Sequence, residues 1–187
     1  MCGTAGAWPS SDRTTCAVLS CGGPAIGVIN MPLRRQMVVA GRGLGCWVLP
    51  GQDPDLRSGR RGQVTQGNTL GGAWTLMHNP AGWPEELLCA LHRRVLLVPS
   101  TGMIVDLVTG RADAGVIAGP SLGYEDVAPM PVIITEAGGR VSDLGGATVL
   151  TGDKSVLITN GHLHDEFLRL VSRFPRRRDY RALGQGE

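Results

Sequence analysis

Asp126 is the side chain in this sequence best placed to do chemistry. It stands in Gly123-Tyr-Glu-Asp126-Val-Ala, where a loop turns into an apolar run that closes at Gly138-Gly139 before a strand. A carboxylate at a helix N-terminus is favoured by the helix dipole and can cap free N–H groups. The same place suits a metal ligand that faces a phosphate, and a side chain in that role opens onto a concave face that solvent reaches. Gly3-Thr4 has the composition of a phosphate cradle, set against the plain reading of a loose chain end. His162 and His164 have an H-x-H spacing open to a metal. Nothing upstream supplies acidic partners nearby, and the plain reading is the start of the last helix. Glu85-Glu86 follow Pro84 and read as first-turn acids serving the helix dipole. Cys2, Cys16, Cys21, Cys46 and Cys89 are odd in number and show no C-x-x-C spacing, which reads as reduced and mostly buried thiols.

The elements that must position these residues change period along the chain. Residues 14–48 are short β-rich runs cut by Gly and Pro, the pattern of an antiparallel meander. Residues 50–68 are polar and rich in Arg and Gly, an exposed loop or hairpin, and 70–78 hold a further strand. From Pro84 the pattern alternates. A helix opens at Pro84, 95–98 is a strand, and Ser100 caps a helix through Val108. Residues 114–118 are a short buried strand, and 127–137 are a helix with Pro129 and Pro131 in its first turns. Strands at 140–143 and 155–159 precede a last helix over 164–174. The organisation is a partial N-terminal antiparallel sheet region over 1–83, a C-terminal α/β lobe over 84–174, and a flexible basic tail over 175–187.

Composition narrows the function. Net charge is +2, and the aromatic share of 4% is too low for base-stacking platforms. Seventeen of the 18 basic residues are arginine, which reads as codon bias, and Arg176-Arg177-Arg178 is a lone run in a solvated tail. Nucleic acid is therefore not an expected partner. No run approaches the ~18 apolar residues of a membrane span, and the N-terminus lacks the regions of a signal peptide. A cytoplasmic protein is the expectation.

Several motifs, in order, resemble the inositol monophosphatase family. Ala25-Ile-Gly-Val-Ile-Asn-Met-Pro32 is similar to its "Gly-Val-Ile-x-x-Pro" strand, and Val39-Ala-Gly-Arg-Gly-Leu-Gly-Cys-Trp47 to its "Ala-x-x-Gly-x-Gly-Ala" turn. Pro99-Ser-Thr-Gly-Met103 with Val108-Thr-Gly-Arg-Ala-Asp113 resembles the "Gly-Ser-Ala … Val-Ala-x-Gly-x-x-Asp" helix. Asp126 matches the aspartate of "Trp-Asp-x-Ala", with Glu125 in the tryptophan's place, and Glu136-Ala-Gly-Gly139 follows. Ser155-Val-Leu-Ile-Thr-Asn-Gly-His-Leu-His-Asp165 is similar to the closing strand and helix of the histidinol-phosphatase branch.

The resemblance implies an α/β, layered α+β architecture. It would be the C-terminal lobe of the family's αβαβα fold, carrying an N-terminal antiparallel β-meander. It also implies a Mg²⁺-dependent phosphomonoesterase acting on a small phosphorylated metabolite of the histidinol phosphate or inositol monophosphate type, and a homodimer. Asp126 would be a metal ligand, Gly3 and Thr4 would bind substrate, and Thr4 would also be catalytic. The family's other metal ligands come from "Gly-Glu-Glu" and "Asp-Pro-Ile/Leu-Asp-Gly-Thr" segments, which the sequence lacks. Met1-Cys-Gly-Thr4 reads as the remnant of the second, so that the polypeptide begins inside it. Residues 114–118 carry no carboxylate to accept inositol hydroxyls, which turns the expectation toward another ester. The alternative is a catalytically dead remnant or dimerisation module of the family.

Overall fold

Gly and Pro punctuate the first third of the chain, and the β-branched runs between them pair in sequence order. The computed structural model describes residues 14–20, 23–51, 55–78, 83–118, 122–151 and 155–174. Strands β1 (Thr14–Ser20), β2 (Gly23–Met31), β3 (Gln36–Gly41), β4 (Gly45–Pro50) and β5 (Arg60–Arg61) form an antiparallel sheet in that order. Register follows side-chain alternation. Ile29, Val38 and Val48 share the inward face, while Val28 pairs with Val39 and Val39 with Trp47 on the outward one.

The second sheet is mixed. Its strands are β6 (Trp74–Met77), β7 (Leu96–Pro99), β8 (Ala114–Ile117), β9 (Arg140–Ser142) and β10 (Val156–Thr159), ordered β7-β6-β8-β10-β9. The pairs β6–β7 and β6–β8 are parallel, and β10 runs antiparallel to β8 and β9. Parallel pairing needs crossover helices. These are α1 (Glu85–His92) between β6 and β7, and α2 (Met103–Val108) between β7 and β8. β6 lies N-terminal to residue 84 yet belongs to this second sheet.

Two cores separate the layers. Ile29, Val38 and Val48 of the first sheet pack with Ile104 and Leu107 of α2 and with Ile133 and Ile134 of α4 (Met130–Glu136). On the far side of the second sheet, Ala114, Val116 and Leu157 pack with Leu87 and Leu91 of α1 and Phe167 and Val171 of α5 (His164–Val171). The layer order is thus sheet, α2 with α4, sheet, α1 with α5. This is the layered α+β architecture that the sequence motifs imply. Gly27 marks a close approach of α4 to the first sheet. A β-carbon there would lie 2.8 Å from Val132 Cγ1 and 2.9 Å from the Pro129 carbonyl oxygen.

Two segments depart from the sequence expectation for physical reasons. The single helix expected over 127–137 is two helices, α3 (Tyr124–Val127) and α4. Ala128 N–H still bonds the Tyr124 carbonyl at 2.8 Å, but Pro129 has no N–H to continue the ladder. Asp126 therefore sits inside a short helix instead of ahead of a long one. The polar stretch before β6 is not simply an exposed loop either. Its Gly62, Gln63 and Val64 N–H groups bond the carbonyls of Cys46, Val108 and Ala137, and Val64 is buried between the layers.

Candidate functional site

Three parallel strands end at one edge of the second sheet: β6 leads to His78, β7 to Ser100 and β8 toward α3. In sheets of this kind ligands bind outside the carboxyl ends of the strands. Asp126 is the third residue of α3. Its Oδ2 accepts the Gly123 N–H at 3.1 Å, and its own N–H donates to the Gly123 carbonyl at 3.2 Å. That reciprocal pair is the cap expected of an acid in a first turn. The residue is only 3% exposed, so it does not open onto solvent as the sequence led one to expect. Burial follows from packing, because α3 lies against β1 and its neighbour Val127 is in the inter-sheet core.

Mg²⁺ requires a near-octahedral set of oxygens and dehydrates reluctantly. Among the described residues no three His, Cys, Asp or Glu side chains converge on one point. Asp126 supplies one carboxylate, already engaged by the Gly123 N–H. The described residues by themselves do not fit a magnesium site. Gly3 and Thr4 lie outside the described residues.

The same sheet carries a groove of about 620 Å³ along β6, β7 and α2. Leu76 and Val98 form part of its floor, and Arg34, Ser100, Asp106 and Arg111 its polar wall. Asp106 organises that wall. Its Oδ1 accepts Arg34 Nη1 at 2.7 Å and lies 3.8 Å from Arg111 Nη1. Its Oδ2 accepts the Ser100 hydroxyl at 3.0 Å, and Ser100 Oγ accepts the Gly102 N–H at 3.1 Å. Two guanidiniums against one carboxylate leave the wall with excess positive charge, and the Arg111 side chain is 59% exposed. Such a wall can hold an anion. Asp126 does not line it. Sequence reading missed Arg34, Asp106 and Arg111. The one available signal was Asp106, the only charge in the apolar run Met103-Ile-Val-Asp106-Leu-Val108.

The two histidines near the last helix separate in role. His162 is exposed, with Nε2 3.3 Å from Gln66 Oε1. His164 is buried between two hydroxyls, with Ser142 Oγ 3.0 Å from Nε2 and Thr159 Oγ1 3.0 Å from Nδ1. Ser142 spends its proton on the Asp143 carbonyl at 2.7 Å. It therefore accepts from Nε2–H, and Thr159 donates to Nδ1, which assigns the neutral tautomer from the network. Burial, with Arg140 adding to it, pushes the His164 pKa down to about 4. A ring with both nitrogens occupied is a structural member, not a metal ligand.

A second polar network fixes the strand that enters the groove. Asp113 Oδ1 accepts the Thr65 hydroxyl at 2.5 Å, and Oδ2 accepts the Trp74 N–H at 2.9 Å. Asn160 Nδ2 reaches Thr65 Oγ1 at 3.0 Å and the Gly67 carbonyl at 2.8 Å.

This layering and motif order define a class, and comparison with known proteins agrees. The chain matches the inositol monophosphatase family over residues 14–175. It belongs to that family. It is 28% identical over 158 residues to a histidinol-phosphatase of Mycobacterium tuberculosis, covering 81% of this chain and 58% of that protein. Among solved structures it is similar to an IMPase of Thermotoga maritima, with TM-score 0.70 and 21% identity over 85% of this chain and 60% of that one. It is also similar to the extragenic suppressor protein suhB of Bartonella henselae, with TM-score 0.72 and 22% identity over 87% and 63%. At these identities the two structures speak to the fold. The chain spans about three fifths of the length of these relatives. Among the described residues no helix is long and apolar enough to cross a membrane.

Proposed function

We propose that this chain contributes part of a phosphomonoesterase site for a small phosphate ester of the histidinol phosphate or inositol monophosphate type. The observation that carries the reading is the Asp126 carboxylate in the first turn of α3, which follows β8 at the edge where the parallel strands end. In this reading Asp126 is one ligand of a Mg²⁺ site whose remaining carboxylates lie outside the described residues. Gly3 and Thr4 meet the substrate phosphate, and Thr4 acts in catalysis. The relative named a histidinol-phosphatase favours that ester. Arg34 and Arg111 give the groove beside α2 a surplus positive charge that suits an anionic ester.

The chain as it stands is expected to bind Mg²⁺ weakly and to turn over p-nitrophenyl phosphate and histidinol phosphate negligibly. Each missing electrostatic contribution costs several kcal/mol, on the order of a thousandfold or more in rate. Calorimetric Mg²⁺ titration beside turnover assays measures both. Joining a segment that carries the two missing family motifs is expected to recover activity, lost again in Asp126→Asn. Failure to recover overturns the proposal, and Mg²⁺-dependent turnover by the unaltered chain overturns the incomplete-site part of it.

A second reading has its own support, because Asp126 is buried and already serves as a cap. A catalytically silent member of the family would keep Asp126 for folding alone. Asn at this third helical position keeps an oxygen that can accept the Gly123 N–H, so Asp126→Asn would then leave the fold intact and the extended protein as silent as before.

A further inference from the structure

Trp74 and Leu96 are large apolar side chains left open beside the groove along β6, β7 and α2, 52% and 47% exposed. They are register partners across β6 and β7, so they stand side by side on one face of the sheet. Further along the same face, Leu76 and Val98 continue that shelf into the groove floor. A lone exposed apolar residue needs no explanation, but a paired shelf that runs into a floor does. Arg111 stands at the same end. After α2 ends at Val108, Gly110 turns the chain with φ +70°, and the Arg111 N–H returns to the Asp106 carbonyl at 2.9 Å. Its backbone is thus fixed just before Asp113, whose N–H bonds the Trp74 carbonyl at 2.8 Å. The guanidinium itself is held loosely. It lies 3.8 Å from the Asp106 oxygen that Arg34 takes at 2.7 Å. Asp106 answers Arg34, which leaves the charge of Arg111 free beside an open indole.

We infer that this groove binds a flat aromatic ring bearing a carboxylate, with the ring against Trp74 and the carboxylate on Arg111. A ring offset-stacked on an indole gains beyond the area it buries. A planar carboxylate matches the guanidinium fork, which can hold both of its oxygens. One surplus positive charge is met by one carboxylate. The apolar floor of Leu76 and Val98 covers the rest of the ring system, and about 620 Å³ leaves room for a fused pair of rings. The inference does not rest on the phosphomonoesterase reading, because Asp126 does not line the groove and the test involves no turnover.

Calorimetric titration of the full chain with naphthoate at low salt is the measurement. Two further probes each lack one feature. Naphthalenemethanol has the rings without the charge, and cyclohexanecarboxylate has the charge without the aromatic ring. The first is expected to bind at least fivefold more weakly than naphthoate, and the second at least threefold more weakly. Arg111→Gln is expected to weaken naphthoate at least fivefold and to leave naphthalenemethanol unchanged. Trp74→Leu is expected to lower naphthoate to the level of cyclohexanecarboxylate, while Trp74→Phe keeps the preference for the aromatic ring. Should Trp74→Leu fail to fold, Arg111→Gln still decides, because that side chain is 59% exposed and leaves the core untouched. The inference is overturned if naphthoate does not bind, or if either incomplete probe binds as tightly. Naphthoate binding that survives Arg111→Gln or Trp74→Leu at full strength overturns it equally.

Discussion

Glu136 Oε2 accepts the N–H of Gly45 at 2.7 Å, and Oε1 of the same carboxylate accepts the N–H of Gly43 at 2.7 Å. The last residue of α4 thus closes the turn between β3 and β4, 91 residues earlier in the chain. Charge-assisted bonds to backbone are the stronger kind, about 1.5–3 kcal/mol each. Glu136→Ala is expected to destabilise the fold by on the order of 2 kcal/mol or more, read from chemical denaturation. Gly45→Ala is expected to cost about 1–2 kcal/mol, because Gly45 has φ +82°, a left-handed backbone that a residue with a β-carbon adopts only under strain. Unchanged denaturation midpoints would show that the turn is held by other means.

Stability should fall on acidification through His164. In the unfolded chain this ring binds a proton near its ordinary value of 6.5, while in the fold burial holds it neutral down to about 4. Between those values the unfolded state carries the extra proton, so stability is full above about 6.5 and declines toward 4. The slope approaches about 1.4 kcal/mol per pH unit from this one group. His164→Gln should be less stable at pH 7 and flatter with pH. Parallel curves for parent and variant over pH 4 to 7 would contradict this.

Thiol reactivity should distinguish two cysteines. Burial pushes the Cys46 thiol up to about 12, and the side chain is fully enclosed, whereas Cys89 is exposed. The thiolate is the nucleophile. Iodoacetamide at pH 8 should modify Cys89 within minutes and leave Cys46 unmodified until denaturant is added, followed by peptide mass mapping. Equal rates at the two sites would mean that β4 opens readily.

Removing the Asp113 carboxylate should loosen the segment before β6. Asp113 holds Thr65 and the Trp74 N–H, and Asn160 holds Thr65 and Gly67. Asp113→Ala is expected to cost about 2–3 kcal/mol and to speed amide exchange selectively over residues 63–74. Uniform acceleration across the chain would instead mark a global loss.

How far the sequence foretold this can be judged at particular residues. The meander and the order of helices and strands were legible because Gly and Pro set their limits and the apolar period set their type. The break at Pro129 was within reach, since proline there cannot donate, yet the apolar run across it masked the division. Which sheet β6 joins was not legible, because strand membership depends on partners far along the chain and not on the strand's own residues. The Arg34–Asp106 pair spans 72 residues and leaves no local mark. For Asp126, residue type and motif gave the position at a helix start. Its burial came only with the packing of α3 on β1.

The close seat of α4 over Gly27 governs how the molecule comes apart. The meander's inner face and the central helices share a single interior, so neither half keeps its apolar surface covered without the other. Severing the backbone between the two sheets would therefore not release an independently folded meander. Heating should produce one cooperative transition, with calorimetric and van't Hoff enthalpies in agreement. The contacts that set its cooperativity join residues about a hundred positions apart, such as Gly27 and Val132. Chain closure over that distance makes folding slow relative to a helical bundle of equal size.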